Sequence, residues 1–148
     1  MKTADAADIL YIEDNLDHAE LVLRCLERHG VRERVVHLEN GEEALALLEE
    51  VKANTAVRPK LVLLDLRLPR VDGIDVLRQM KSSIELRDIP VIVFTTSAGP
   101  RDMRDAYANF ANSYLVKPDD LSALNALLTD LSTYWLERNR VVVDDHPP

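Results

Sequence analysis

Five short apolar runs, each followed by a longer amphipathic stretch, constrain the fold of this chain more than any other feature. The runs are Ile9–Ile12, Val35–Leu38, Leu61–Leu64, Val91–Phe94 and Tyr114–Val116. Each has strand length and several are rich in β-branched residues. Three are apolar throughout, as strands covered on both faces of a parallel sheet must be. The segments between them carry helical spacing and helical start signals. Asn15 precedes Leu16, Ala19, Val22, Leu23 and Leu26, a face that ends near Gly30. Asn40 and Glu43 form a capping-box pattern ahead of Ala44, Leu47, Leu48 and Val51. Asp72, Pro100 and Asp120 suit the starts of three further helices. A βα unit repeated five times predicts an α/β, doubly wound parallel five-stranded sheet in the order 2-1-3-4-5.

At 148 residues the chain has the length of one domain. The formal charge of -8 weighs against nucleic-acid binding, which needs a basic face. It suits a protein that binds cations or meets a basic partner. The single cysteine, Cys25, has no internal disulfide partner. No run approaches the ~18 apolar residues of a membrane span and the N-terminus lacks a secretory pattern, so the expected location is cytoplasmic. The four histidines, His18, His29, His37 and His146, show no ligand spacing and read as surface residues.

In such a sheet, function gathers outside the carboxyl ends of the strands. Glu13 and Asp14 follow the first run, Asp65 the third, Thr95 the fourth and Lys117 the fifth. A lone Asp there is usually a turn former and a lone Lys is usually solvated. As a set they ask for more. The predicted strand order brings three acids together, and like charges ~4 Å apart repel by about 4 kcal/mol at an effective dielectric near 20. A divalent cation relieves that repulsion, and an all-oxygen ligand set suits Mg²⁺. Lys117 and Thr95 would then serve a new anion, a phosphoryl group accepted by Asp65 as nucleophile.

These residues resemble those of the receiver domains of two-component response regulators. The matching stretches are ILYIEDN, LVLLDLRLPRVDG, IPVIVFTTS and YLVKP, in that order over nearly the whole chain. The resemblance implies a flavodoxin-like (βα)5 receiver domain over residues 1–137, with 138–148 as a tail that is flexible or associated with a dimer. It makes Asp65 the phosphoacceptor, and Glu13, Asp14, Asp65 and the backbone carbonyl of Arg67 the ligands of Mg²⁺. Thr95 and Tyr114 become a switch pair, Lys117 the phosphate-binding lysine, and the bond before Pro118 is expected to be cis. Within the family, TTS, VKANTAVRPK and TYWL resemble the single-domain regulators paired with bacterial phytochromes. The implied partners are a histidine kinase of that type, a second copy of the chain and a downstream phosphotransfer protein. The chain would not be an enzyme beyond phosphorylation and dephosphorylation of its own Asp65.

Arg67 stands where smaller side chains are common, and could reach the phosphoryl group or solvent. Asp120 reads as a cap rather than a metal ligand. An aspartate-nucleophile phosphatase would carry a second Asp at position 67, which is Arg67. A flavin or nucleotide binder needs glycines after the first strand, where EDNLD is acidic. A degenerate scaffold would not keep the full acidic set. The aromatics Tyr107, Phe110, Tyr114, Tyr134 and Trp135 either complete the core or form an exposed patch, and the tail VVV offers an edge strand to another copy.

Overall fold

In the computed structural model, which describes residues 8–142, the alternation of side chains along three buried strands builds two cores. Strands β1 (Ile9–Ile12), β2 (Val35–Leu38), β3 (Leu61–Leu64), β4 (Val91–Thr95) and β5 (Ser113–Val116) form one sheet, ordered β2-β1-β3-β4-β5. Every pairing is parallel, which places a helix on each crossover. Ile9, Tyr11, Leu61, Leu63, Ile92 and Phe94 point to one face, where α1 (Leu16–Arg28) and α5 (Leu121–Ser132) cover them. Leu10, Ile12, Val62, Leu64, Val91 and Val93 point to the other, under α2 (Gly41–Lys52), α3 (Gly73–Ser82) and α4 (Pro100–Ala108). The expected α/β fold and strand order are therefore present.

The helices start where their caps stand. Asn15 Oδ1 accepts from the amides of Asp17 and His18, at 3.0 and 3.1 Å. Asn40 accepts from Glu43 at 2.8 Å, Asp72 from Gly73 at 2.9 Å and Asp120 from Ser122 at 3.2 Å. Asp120 is thus a cap, as expected. The carboxylate of Glu43 reaches back to the amide of Glu39 at 3.4 Å, one residue beyond the reciprocal capping-box partner. Gly30 ends α1 with φ +74°, the left-handed conformation that an αL helix stop requires.

Two details differ from the sequence reading. There is no cis peptide bond among the described residues, so the bond before Pro118 is trans. The α5 helix passes directly into a π-helical turn, Thr133–Arg138, with Trp135 and Leu136 on the α1/α5 core. Of the aromatics, Tyr107, Phe110 and Tyr134 are exposed, whereas Tyr114 and Trp135 pack against the two cores. Val141 and Val142 lie in no strand, and residues 143–148 fall outside the described residues. No helix among those residues is long and apolar enough to cross a membrane.

Candidate functional site

The strand ladder itself assembles the site. The amide of Glu13 donates to Leu38 O at 3.0 Å, that of Asp65 to Ile12 O at 3.1 Å, and that of Lys117 to Thr95 O at 2.7 Å. Each pairing carries the sheet one residue past its last apolar position, so the polar residues inherit the fixed spacing of the strands. Glu13 and Thr95 are fully buried and Asp65 is 6 % exposed; Asp14 faces solvent. One carboxylate oxygen from each of Glu13, Asp14 and Asp65 lies within 4.8 Å of the others. An all-oxygen set of this size fits a hard divalent ion such as Mg²⁺.

The Lys117 ammonium is nearly buried and binds Glu13 Oε1 closely, with Asp65 Oδ2 at 3.4 Å. It therefore bridges two acids of the predicted metal set. Glu13 Oε2 accepts from the Asn15 amide at 3.2 Å, and Asp65 Oδ1 from the Arg67 amide at 3.3 Å. Burial, reinforced by Asp65 alongside, pushes the Glu13 carboxyl up to about 7 despite the opposing pull of Lys117.

This shift fixes the sign of a pH dependence. The folded carboxyl holds its proton more tightly than an unfolded glutamate at 4.5. Stability is therefore fully present below that value and falls as pH climbs toward about 7. The loss is expected in magnesium-free buffer. Urea unfolding at about pH 5 and about pH 8 measures it. Glu13→Gln should flatten the profile, and an equally steep profile in that variant would refute the assignment.

Other polar contacts complete the surroundings. Thr95 Oγ1 accepts from the Ser97 amide at 3.4 Å. The Tyr114 hydroxyl donates to the Ser97 carbonyl at 2.8 Å, and burial raises its pKa. The Arg67 side chain is 66% exposed, in keeping with the solvent-facing alternative, and its guanidinium also pairs with Asp102 on α4 at 2.7 Å.

Residues 9–129 match the response regulator receiver domain family. The chain belongs to that family. It is 44% identical over 140 residues to the probable methanogenesis regulatory protein FilR2 of Methanothrix harundinacea, covering 95% of this chain and 90% of that one. It is 35% identical over 130 residues to response regulator Rcp1 of Synechocystis sp., covering 87% and 88%. Among solved structures, the phosphorylated cyanobacterial phytochrome response regulator RcpA superposes with a TM-score of 0.81 at 34% identity, over 90% of this chain and 97% of that one. The Mn²⁺-bound form of Rcp1 gives 0.81 at 33%, over 91% and 98%.

Glu13, Asp14, Asp65, Thr95 and Lys117 thus lie at one end of this receiver domain's sheet, and the Tyr114 side chain reaches toward it from within β5. Glu13, Asp14, Asp65 and Lys117 form one cluster, and Thr95 and Tyr114 share Ser97 beside it. Sequence reasoning passed over two histidines. His18 Nδ1 stands 3.3 Å from the Lys117 ammonium and 3.9 Å from Glu13 Oε1. His37 Nε2 donates to the Glu13 carbonyl at 2.8 Å, with its ring tilted against Tyr11. The cap at Asn15 was the available signal for His18, because it places the first turn of α1 against the Glu13 segment.

Proposed function

We propose that the chain is a single-domain response regulator that accepts a phosphoryl group on Asp65 from a histidine kinase. The observation that supports this most is the placement of Lys117, whose ammonium spans Glu13 and Asp65 while Asp14 completes an oxygen triad. An Asp65 carboxylate oxygen attacks phosphorus, the bond to the donor's imidazole nitrogen breaks, and that nitrogen keeps the electron pair. Glu13, Asp14, Asp65 and the Arg67 carbonyl would hold Mg²⁺, which neutralises charge on the transferring group. Lys117 pairs with a phosphoryl oxygen, and the Thr95 hydroxyl donates to another. Such transfer needs positioning and charge balance more than further covalent chemistry.

The signal follows the backbone. Thr95 and Ser97 are two residues apart, so drawing Thr95 toward the phosphoryl oxygens carries the Ser97 carbonyl and, with it, the Tyr114 hydroxyl. The surface built by α4, β5 and α5 then shifts. Its exposed Tyr107, Phe110, Val116 and Leu121 suit pairing with a second copy or a phosphotransfer protein. We assign residues 1–137 to the receiver domain and 138–148 to a tail, with a cytoplasmic location. The assignment to a phytochrome-type kinase is supported by the likeness to the phytochrome response regulator RcpA.

Intact mass after incubation with acetyl phosphate tests the core of this reading. Wild type with Mg²⁺ should gain one phosphoryl group. The metal-free chain and Asp65→Asn should gain none, and uptake by Asp65→Asn would refute the assignment.

A further inference from the structure

One carboxylate oxygen collects two donors from different loops. Asp102 Oδ2 accepts from the Arg67 guanidinium at 2.7 Å and from the Ser97 hydroxyl at 2.6 Å. Ser97 Oγ in turn accepts from the Gly99 amide at 3.3 Å, and the Ser97 carbonyl takes the Tyr114 hydroxyl at 2.8 Å. The chain of bonds therefore runs from the loop after β3, through the first turn of α4, to the loop after β4 and into β5. None of its links uses the Asp65 carboxylate or the Thr95 hydroxyl. Asp102 is only 21% exposed, against 66% for Arg67, so the accepting oxygen is the better shielded end. Arg101 lines the same groove between α3 and α4, as do Arg78 and Asp75, which pair with each other.

We propose that Asp102 is a positioning residue for the switch. By tying Ser97 to Arg67 it docks Tyr114 through bonds that bypass Asp65, and so sets how far the chain adopts the docked arrangement before phosphorylation. The inference rests on the reading of Asp65 and Tyr114 given above, but only for its second half. A bias of this kind shifts a two-state population rather than creating a new state. Without Asp102, Ser97 is anchored only by its bonds to the Gly99 amide and to Thr95, so docking of Tyr114 leans more heavily on Thr95 and hence on the phosphoryl group.

Asp102 also places a negative charge in the first turn of α4, a favourable position for the helix dipole. Two variants separate the roles. Asp102→Asn removes the charge from the acceptor, and Arg67→Gln removes its cationic partner while leaving the α4 charge in place. A helix-dipole role alone would leave Tyr114 unmoved in Arg67→Gln.

Labelling with 3-fluorotyrosine gives signals for four tyrosines, and Tyr114→Phe identifies the one of interest. Without phosphodonor or metal, both variants should displace the Tyr114 line in the same direction. The expected change is about a two- to fivefold fall in the docked-to-undocked ratio, the range for a partly exposed ion pair. The line of Tyr11, in the core, should stay. A Tyr114 line that stays at its wild-type position in either variant overturns the proposal. On adding acetyl phosphate and Mg²⁺, the line of Asp102→Asn should return toward that of phosphorylated wild type. A variant shown by mass to be phosphorylated, yet still displaced, also overturns it. A wild type that takes up no phosphoryl group refutes the Asp65 reading instead, and the metal-free spectra still decide the role of Asp102.

Discussion

Replacing Lys117 with Met is expected to destabilise the metal-free chain by about 3–5 kcal/mol, the usual result of removing one partner of a buried charge pair. Glu13 is fully buried, and its closest cationic partner is the Lys117 ammonium. The substitution leaves two acids facing each other at a rim with little access to water. The cost should grow with pH, because Glu13 escapes it only by keeping its proton. Binding of Mg²⁺ should move the other way. The ammonium occupies the same carboxylates that the ion would use, so its removal relieves a competition, and affinity should rise by about tenfold. Phosphoryl uptake should nevertheless fall by about a hundredfold or more, since the cation that pairs with the incoming oxygens is gone. Isothermal titration with Mg²⁺, urea unfolding and acetyl phosphate uptake separate the three effects. Weaker Mg²⁺ binding in Lys117→Met would show that the lysine orders the acids rather than competing for them.

Local signals explain why the elements could be read along the chain. The strands were legible because burial on both faces demands uninterrupted apolar runs, and the helix starts because Asn15, Asn40, Asp72 and Asp120 each accept from a first-turn amide that has no partner within its helix. The site was legible because a parallel sheet delivers strand-end residues to one rim, so Glu13, Asp14, Asp65, Thr95 and Lys117 could be grouped by counting. What escaped was pairing between distant segments. Nothing near Arg67 in sequence points to Asp102, which lies 35 residues on. His18 and His37 lack ligand spacing, yet the cap at Asn15 and the β1–β2 register carry them to Lys117 and to the Glu13 backbone. The π-helical turn after α5 has no proline or glycine to mark it. A wide apolar stripe is equally compatible with α and π geometry over one turn.

Replacing Gly73 with Ala should be among the most damaging single-methyl changes available, although the residue has an ordinary helical position and no positive φ. An ideal Cβ at Gly73 would lie 2.3 Å from the carbonyl oxygen of Asp65 and 2.6 Å from Leu66 Cα. Those atoms are backbone, so they cannot swing aside as a side chain would. The contact is close because the Gly73 amide, at the first turn of α3, donates to Leu66 O at 3.0 Å and to the Asp72 cap at 2.9 Å. The start of α3 is thereby pressed onto the segment that carries Asp65. A methyl group must push the helix and this loop apart, costing about 3 kcal/mol, the upper part of the usual range for overpacking. It must also move the Asp65 and Arg67 peptides that border the acidic cluster, so Mg²⁺ affinity should fall together with stability. Gly30→Ala supplies the contrast. Its backbone is left-handed but nothing lies within 4 Å of the added carbon, so it should cost only about 1 kcal/mol and leave Mg²⁺ binding unchanged. Unfolding and Mg²⁺ titration on both variants separate crowding at the site from backbone strain remote from it. Equal losses in the two would mean that α3 does not hold Asp65 in place through this contact.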